Sequence, residues 1–286
     1  MVDLLLLGCI IIWAINSPIV KIVLREIAPL AVSQFRVVIA ALISLGVVWN
    51  RERSVYINRK HLPQLCLAAF MGITVNQITF IYALNNTSAS AVSLIYAVSP
   101  IFATLLAALI YREEIKRSYF IGLPLALVGV ALVVLTAPNV SLDGNLLGNL
   151  LAVGMAFSWA AYTVLLRPLL GFYSPLRLSA LCFTIGGLFL LPFSFIQVTE
   201  AVTAPASLYA WALLFASSFF AMVVTNILWY NGVKKLGVSR TAYYSYLQPF
   251  FGVLAAALML GEIFVLPQII GGLLVIGSLL LYRLVR

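Results

Sequence analysis

The sequence predicts an all-α membrane protein with ten transmembrane helices, arranged as two inverted five-helix repeats. Three observations lead to this fold class. Hydrophobic residues make up 64% of the 286 positions and charged residues only 9%, whereas soluble domains carry about a quarter charged residues. Apolar runs of about 20 residues, the length of a helix that crosses a bilayer, recur along the chain. The second half of the chain also repeats the residue pattern of the first.

Ten apolar runs meet the length requirement for a membrane-spanning helix. Barrel strands are excluded, because they are about half this length and alternate strictly between apolar and polar residues. The connections between the runs are short and rich in Gly, Pro, Asn and Asp. The predicted helices cover residues 3–23, 29–49, 62–83, 88–110, 118–137, 146–166, 176–197, 207–230, 239–260 and 266–284.

The internal repeat has an offset of 146 to 149 residues. Residues 13–17, with the sequence WAINS, recur as residues 159–163, with the sequence WAAYT. Further along, Pro100 recurs as Pro249. Duplicated hydrophobic halves are typical of proteins in which two related repeats enclose a central site.

The connection at residues 137–145 is the natural boundary between the two halves. It defines a first repeat over residues 1–137 and a second over residues 146–286. Because each predicted repeat has an odd number of spans, the second repeat enters the membrane from the opposite side. The two halves are therefore expected to be inverted relative to each other.

Basic residues lie almost entirely on one side of the predicted topology. Fourteen of the 17 lysines and arginines occupy the even-numbered connections and the C-terminal end, whereas Lys21 and Arg25 lie in odd-numbered connections. The positive-inside rule therefore predicts that both termini are cytoplasmic. Because the net charge of +9 is distributed among short loops, it indicates topology, and no nucleic-acid partner is expected.

Polar side chains inside the predicted helices are candidates for lining a cavity, because their burial in hydrocarbon is costly. Helices 1 and 6 each carry three such side chains at i, i+3 and i+4, which places them on one helix face. The alternative for these residues is helix–helix packing through interhelical hydrogen bonds. The matched residues are Trp13, Asn16, Ser17, Trp159, Tyr162 and Thr163.

Helices 3, 4, 8 and 9 supply the remaining cavity candidates. Pro100 and Pro249 each remove a backbone hydrogen bond from their helix, so they are candidate gating residues, with a purely structural kink as the alternative. The tyrosines before Pro249 also fit an interfacial aromatic belt. The cavity candidates in these helices are Asn76, Tyr96, Asn226, Tyr246 and Gln248.

Arg36 is the only basic residue well inside a predicted helix. An unpaired arginine there is costly, so it either extends to the membrane surface or has a partner. Arg36 is therefore either a structural anchor or a contact for the carboxylate of a ligand. The sequence has no metal-ligand cluster, nucleotide-binding loop or catalytic triad pattern, so no metal, cofactor or enzyme activity is expected.

Two segments resemble the repeat signature of a known family. The pattern is similar to EamA-type transporters of the drug/metabolite transporter superfamily, and the similarity covers essentially the whole chain, including Trp13 and Arg36. The first copy comprises residues 89–94 (ASAVSL), 99–102 (SPIF) and 111–114 (YREE). The second copy comprises residues 236–240 (LGVSR), 247–250 (LQPF) and 260–262 (LGE).

The resemblance implies a ten-helix, inverted-repeat protein of the bacterial inner membrane that exports amino acids, other metabolites or toxic compounds. A cavity of Trp, Tyr, Asn and Ser suits an amphiphilic small molecule, and aromatic or other hydrophobic amino acids are the specific expectation. We expect a monomer that works by alternating access in the lipid bilayer. The alternatives are a multidrug or nucleotide-type carrier and a non-transporting membrane scaffold or scramblase.

Overall fold

The computed structural model describes residues 2–86, 92, 95–112, 115, 117–135, 146–203, 206–260 and 265–284. Over these residues the protein is helical and contains no β-strand. Part of the repeat signature lies outside the described residues, namely residues 89–91, 93–94, 113–114 and 261–262.

The main helices are numbered α1 to α10 along the chain. Within the described residues, α1, α2, α3, α6, α7 and α8 are long and apolar enough to cross a membrane, and α4, α5 and α10 contain shorter apolar stretches. The prediction of an all-helical protein with several membrane spans is confirmed. The helices are α1 (Val2–Val23), α2 (Pro29–Glu52), α3 (Arg59–Asn86), α4 (Ser99–Tyr111), α5 (Arg117–Leu135), α6 (Leu146–Leu166), α7 (Pro175–Thr203), α8 (Leu208–Leu236), α9 (238–260) and α10 (Leu266–Leu284).

Both repeat-equivalent prolines lie at breaks in regular helix. The helix predicted over 88–110 is not continuous, because α4 begins at Ser99 after a turn at residues 97–98, with Pro100 in its first turn. In α9, a 3-10 turn over Tyr244–Leu247 precedes Pro249. Proline has no N–H to donate to the preceding turn and fits best at the start of a helix, which accounts for both breaks.

Two π-helical segments occupy matched places in the two halves. One is Phe70–Val75 in α3 and the other is Phe219–Val224 in α8, each six residues long. Their separation equals that of Pro100 and Pro249. Single π turns inside α-helices often occur at functional sites. The sequence does not predict these π segments, because both stretches have the composition of ordinary apolar helix.

The most extensive helix contacts join the two halves. The contact of α2 with α7 and that of α5 with α10 each pair two equivalent helices. The contacts of α1 with α8 and α9 correspond to those of α6 with α3 and α4. The halves therefore interlock in a pattern with approximate two-fold equivalence, and the space between them is enclosed by helices from both.

Glycine permits the close approach of α5 and α10. A Cβ atom placed on Gly129 would lie 2.6 Å from the carbonyl oxygen of Gly271, so α5 needs glycine at this position to approach the α10 backbone. Small residues at helix contacts allow such approach in membranes, where packing drives helix association. The outer surface carries large apolar side chains instead, including Leu42, Leu109 and Phe120 at 65%, 80% and 64% exposure. These residues suit contact with lipid.

Candidate functional site

A cavity lies between the two halves, lined by residues of α1, α2, α3, α6, α7, α8 and α9 and by Tyr96. Its volume is about 90 Å³, which is enough space for several water molecules. Most of the candidates from the sequence meet here. The lining includes Trp13, Asn16, Ser17, Arg36, Asn76, Tyr96, Trp159, Asn226 and Gln248.

Three tryptophans form an aromatic cluster on one side of this cavity. The rings of Trp13 and Trp159 meet edge to face with centroids 5.1 Å apart, and Trp229 lies 5.2 Å from Trp13 and 5.8 Å from Trp159. The Nε1 of Trp13 donates a 3.0 Å hydrogen bond to the carbonyl oxygen of Ala221 in the second π segment. Edge-to-face aromatic packing of this kind presents a rigid apolar surface to a ligand.

Arg36 contributes a buried positive charge to the cavity lining. Its side chain is 2% exposed, so it does not extend to the protein surface. One guanidinium nitrogen donates to Oε1 of Gln77 at 3.4 Å, and the group lies 5.9 Å from the ring centroid of Phe80. Its Nε has no hydrogen-bond partner among the described residues. A buried cation with so little compensation favours an anionic ligand.

Interhelical hydrogen bonds hold two of the lining amides in place. Asn16 accepts a 2.6 Å hydrogen bond from the hydroxyl of Ser217 in α8. The side-chain nitrogen of Asn76 donates to the carbonyl oxygen of Met155 at 3.0 Å and to the hydroxyl of Ser158 at 3.2 Å, both in α6. These bonds connect the halves directly beside the cavity and fix the positions of its polar groups.

Tyr162 and Thr163, which are candidates from the sequence, pack behind the cavity lining. The hydroxyl of Tyr162 pairs with that of Tyr230, and its ring packs against Gly72. The hydroxyl of Thr163 accepts a 3.1 Å hydrogen bond from Nε1 of Trp229. The Thr163 contact supports the aromatic cluster, and neither Tyr162 nor Thr163 lines the cavity.

Tyr246 and the two prolines also lie outside the cavity lining. Tyr246 is 1% exposed, and its ring centroid is 5.0 Å from that of Tyr243. The carbonyl oxygen of Pro100 accepts a 3.3 Å hydrogen bond from the hydroxyl of Tyr119. Pro249 follows Gln248, so the proline adjoins the cavity through its neighbour.

Several lining residues were absent from the candidate set. They include Gln77 and Phe80 of α3, and Trp229 of α8 packs against the lining residue Trp13. The repeat could have identified them, because Gln77 is equivalent to Asn226 and Phe80 to Trp229 at the offset that relates Pro100 to Pro249. Gly72 and Ala221 also line the cavity from equivalent places in the π segments.

Comparison with known proteins identifies the family. The sequence matches the EamA-like transporter family over residues 1–135 and 146–284. The chain belongs to this family. As a member of the EamA-like family it is a multi-pass membrane transporter with a small-molecule substrate, and the comparisons indicate a transporter rather than an enzyme.

Relatives of this EamA-like protein include the uncharacterized transporter YetK of Bacillus subtilis, which is 25% identical over 91% of this chain and 79% of its own. An uncharacterized transporter of Archaeoglobus fulgidus is 28% identical over 97% of this chain and 96% of its own. A probable terminal-alkyne amino-acid exporter of Streptantibioticus cattleyicolor is 25% identical over 95% of this chain and 90% of its own. A crystal structure at 15% identity aligns with a TM-score of 0.79, covering 99% of this chain and 96% of the other, and shares the fold.

Proposed function

We propose that this protein is a secondary transporter that exports small metabolites through the cavity between its two halves. The observation that carries the proposal is the enclosure of aromatic and polar side chains between matched helices, with Trp13 from α1 meeting Trp159 from α6. A site at the interface of two repeats becomes accessible from alternate sides when one repeat moves against the other. Alternating access is therefore the proposed mechanism.

The proposed topology has ten spans in two inverted repeats, over residues 1–137 and 146–286. Its support is the equivalence of contacts between the halves and of the two π segments. With the basic residues concentrated in even-numbered connections, both termini face the cytoplasm in the proposed arrangement, and the protein lies in a bacterial inner membrane.

The proposed substrates are aromatic or other hydrophobic amino acids. The tryptophan cluster provides an apolar surface for the side chain, and Arg36 provides a positive charge for the carboxylate. Guanidinium groups bind carboxylates through paired, charge-assisted hydrogen bonds. The name of the related terminal-alkyne amino-acid exporter supports this substrate class. A carrier of nucleotides would need more positive charge than Arg36, the one cation among the described lining residues.

The proposed gates are the helix breaks at Pro100 and Pro249. Because inverted repeats exchange conformations during transport, the two prolines serve opposite sides of the membrane in this proposal. Pro100→Ala and Pro249→Ala are each expected to slow transport and to shift the accessibility of a cysteine at Ser17 in opposite directions. A shift in the same direction in both variants would show that the prolines only shape the packing.

Transport by purified protein in liposomes tests the substrate proposal. Vesicles preloaded with unlabelled phenylalanine should accumulate radiolabelled phenylalanine, and Arg36→Gln should reduce the initial rate by about tenfold or more, because loss of one charged hydrogen-bonding partner costs about 1.5–3 kcal/mol. Arg25→Gln is the control, since Arg25 lies in the connection between α1 and α2. The proposal fails if protein-containing and protein-free vesicles accumulate the same amounts.

Single cysteines test the topology in a variant whose native cysteines are replaced by serine. A cysteine at Tyr56, between α2 and α3, should react with an impermeant maleimide from the cytoplasmic side. A cysteine at Thr203, the last residue of α7, should react from the outside. Reaction of both positions from one side would rule out the proposed alternation of spans.

A further inference from the structure

Two acceptor oxygens of the cavity-lining side chains have no partner in the described part of the protein. They are Oδ1 of Asn226, in α8, and Oε1 of Gln248, at the break within α9. Both atoms are buried, and the Asn226 side chain as a whole is 4% exposed. A buried acceptor without a partner costs about 1–3 kcal/mol, so such atoms indicate a ligand that donates hydrogen bonds.

The orientation of the Asn226 amide follows from its other contact. Its Nδ2 donates a 2.8 Å hydrogen bond to the carbonyl oxygen of Met222, one turn earlier in α8. Because a carbonyl oxygen can only accept, the amide nitrogen must occupy this position and the oxygen must lie on the other side. The unpartnered atom is thus an acceptor, which rules out the carboxylate of a ligand as its partner.

The cavity therefore divides into two kinds of polar group. The first half of the chain supplies a donor, the guanidinium of Arg36, whose Nε is unpartnered among the described residues. The second half supplies the lining residues Asn226 and Gln248, whose side-chain oxygens are unpartnered among the described residues. Among the described residues that line the cavity there is no Asp or Glu. A positively charged group of the ligand would consequently be bound by neutral amide dipoles.

We propose that Asn226 and Gln248 form an ammonium-binding subsite, through which the cavity selects α-amino acids over carboxylates that lack the amino group. An α-ammonium group has three donors and matches two acceptor oxygens, whereas a hydroxyl in its place has one donor and no charge. This inference rests on the proposed function, since it assigns a specificity to the same cavity. Hydrogen bonds to a charged group are stronger than those to a neutral one, which supplies the discrimination.

Three probes that share a phenyl ring separate the contributions of the two charged groups. L-phenylalanine carries both groups, 3-phenyllactate has a hydroxyl in place of the ammonium, and phenethylamine lacks the carboxylate. Binding to the detergent-solubilised full-length protein is measured by tryptophan fluorescence, because three of its tryptophans cluster at the cavity. The wild-type protein should bind phenylalanine about tenfold more tightly than phenyllactate.

Removal of either acceptor should reduce this preference. Asn226→Leu and Gln248→Met keep side-chain size and lose the oxygen, so each should weaken phenylalanine binding about tenfold and phenyllactate binding by a smaller factor, because its hydroxyl is neutral and has one donor. Asn231→Leu is the matched control, because Asn231 makes the same 2.8 Å bond to the preceding turn of α8 and does not line the cavity. It should change neither affinity. The thermal unfolding temperature shows whether each variant is folded. Asn226→Leu also removes the hydrogen bond to the carbonyl oxygen of Met222, whereas Gln248→Met leaves that bond in place.

The binding measurements test the ammonium-binding subsite, and transport in liposomes tests the proposed function. Equal affinity of the wild-type protein for phenylalanine and phenyllactate would overturn the ammonium subsite, as would equal losses for both probes in the two variants. Absence of binding by all three probes would overturn it as well. Selective binding of phenylalanine without transport would uphold the subsite and refute the transport proposal.

Discussion

The matched residues of α1 and α6 occupy equivalent positions in the two halves but have different surroundings. Trp13, Asn16 and Ser17 of α1 all line the cavity, whereas of the three matched residues in α6 only Trp159 does. The Nε1 of Trp13 is bonded to a carbonyl oxygen of the second π segment. The Nε1 of Trp159 is buried without a partner among the described residues.

Side-chain size explains much of this difference. Asn16 is small enough to reach Ser217 and remain beside the cavity. Its equivalent, Tyr162, is larger, and its ring lies over Gly72, with its hydroxyl paired to that of Tyr230. The duplicated backbone therefore places both residues alike, and the side chain decides whether a position lines the cavity or closes the wall behind it.

The largest expected effect comes from filling the space that Tyr162 occupies. In Gly72→Ala the new Cβ would lie 2.0 Å from Cγ of Tyr162, so the ring must move. Overpacking of this kind costs about 1–3 kcal/mol, and we expect a lower thermal unfolding temperature in detergent. Gly8→Ala is the control, since its Cβ position has no atom within 4 Å apart from its chain neighbours and the backbone of its own helix. In the Tyr162→Ala background, Gly72→Ala should have little further effect. An unchanged unfolding temperature in Gly72→Ala alone would contradict the tight contact.

A second comparison separates the functions of Asn16 and Tyr162. Asn16→Ala removes a polar group of the cavity and should lower the transport rate about tenfold, equivalent to about 1.4 kcal/mol. Tyr162→Phe keeps the ring and removes only the hydroxyl that meets Tyr230. It should lower stability by about 1 kcal/mol and leave the rate per folded molecule unchanged. The opposite pattern would show that the α6 face also contacts substrate.

The two matched tryptophans should differ by a smaller amount. Trp13→Phe loses the 3.0 Å hydrogen bond to the carbonyl oxygen of Ala221, whereas Trp159→Phe loses no hydrogen bond to the described residues. Both substitutions retain an aromatic ring. We expect Trp13→Phe to be less stable by about 0.5–1.5 kcal/mol. Equal unfolding temperatures for the two variants would mean that the Trp13 bond contributes nothing measurable.

The connections that follow α1 and α6 extend the comparison, with the smallest effects. Glu26, after α1, accepts hydrogen bonds from the backbone and hydroxyl of Ser207 at 2.7 and 2.9 Å. Ser174, after α6, contacts Glu52, which also pairs with Arg177 at 2.8 Å. The Glu52 contact includes an opposite charge, so Glu52→Gln should lower the unfolding temperature more than Glu26→Gln does. Equal losses would mean that the ion pair adds nothing.

The Glu26 contact should also depend on pH. Hydrogen bonds from the Ser207 backbone and then from its hydroxyl lower the pKa of Glu26. A carboxyl group whose pKa is lower in the folded protein contributes stability above its unfolded pKa, and this contribution disappears as the pH falls through the folded pKa. The difference in unfolding temperature between the wild-type protein and Glu26→Gln should therefore shrink on acidification. A constant difference would contradict the assigned cause.

Much of the cavity lining is predictable from the sequence, because polar groups such as Asn16 and Asn226 are rare in apolar helices and their spacing defines a face. The sequence does not show that Asn16 lines the cavity and Tyr162 does not, because an internal repeat specifies the position of a residue and not the space around its side chain. Arg36 shows the same limit: its depth followed from the sequence, but its burial beside Gln77 depends on how α2 and α3 pack. The helix break before Pro100 is indicated in the sequence by the proline itself, whereas no residue type in the sequence indicates the π segments.

The π segments have a consequence for the angular alignment of α3 and α8. A π turn accommodates about one residue more than an α turn, and each residue of an α-helix advances by about 100°. Deleting one residue from Phe70–Val75 would restore regular α-helix and rotate everything before the segment relative to everything after it. Asn76 and Gln77 could then face the cavity only if the start of α3 turned away from its neighbours. One additional residue in each half thus sets the rotational phase between the two ends of a spanning helix.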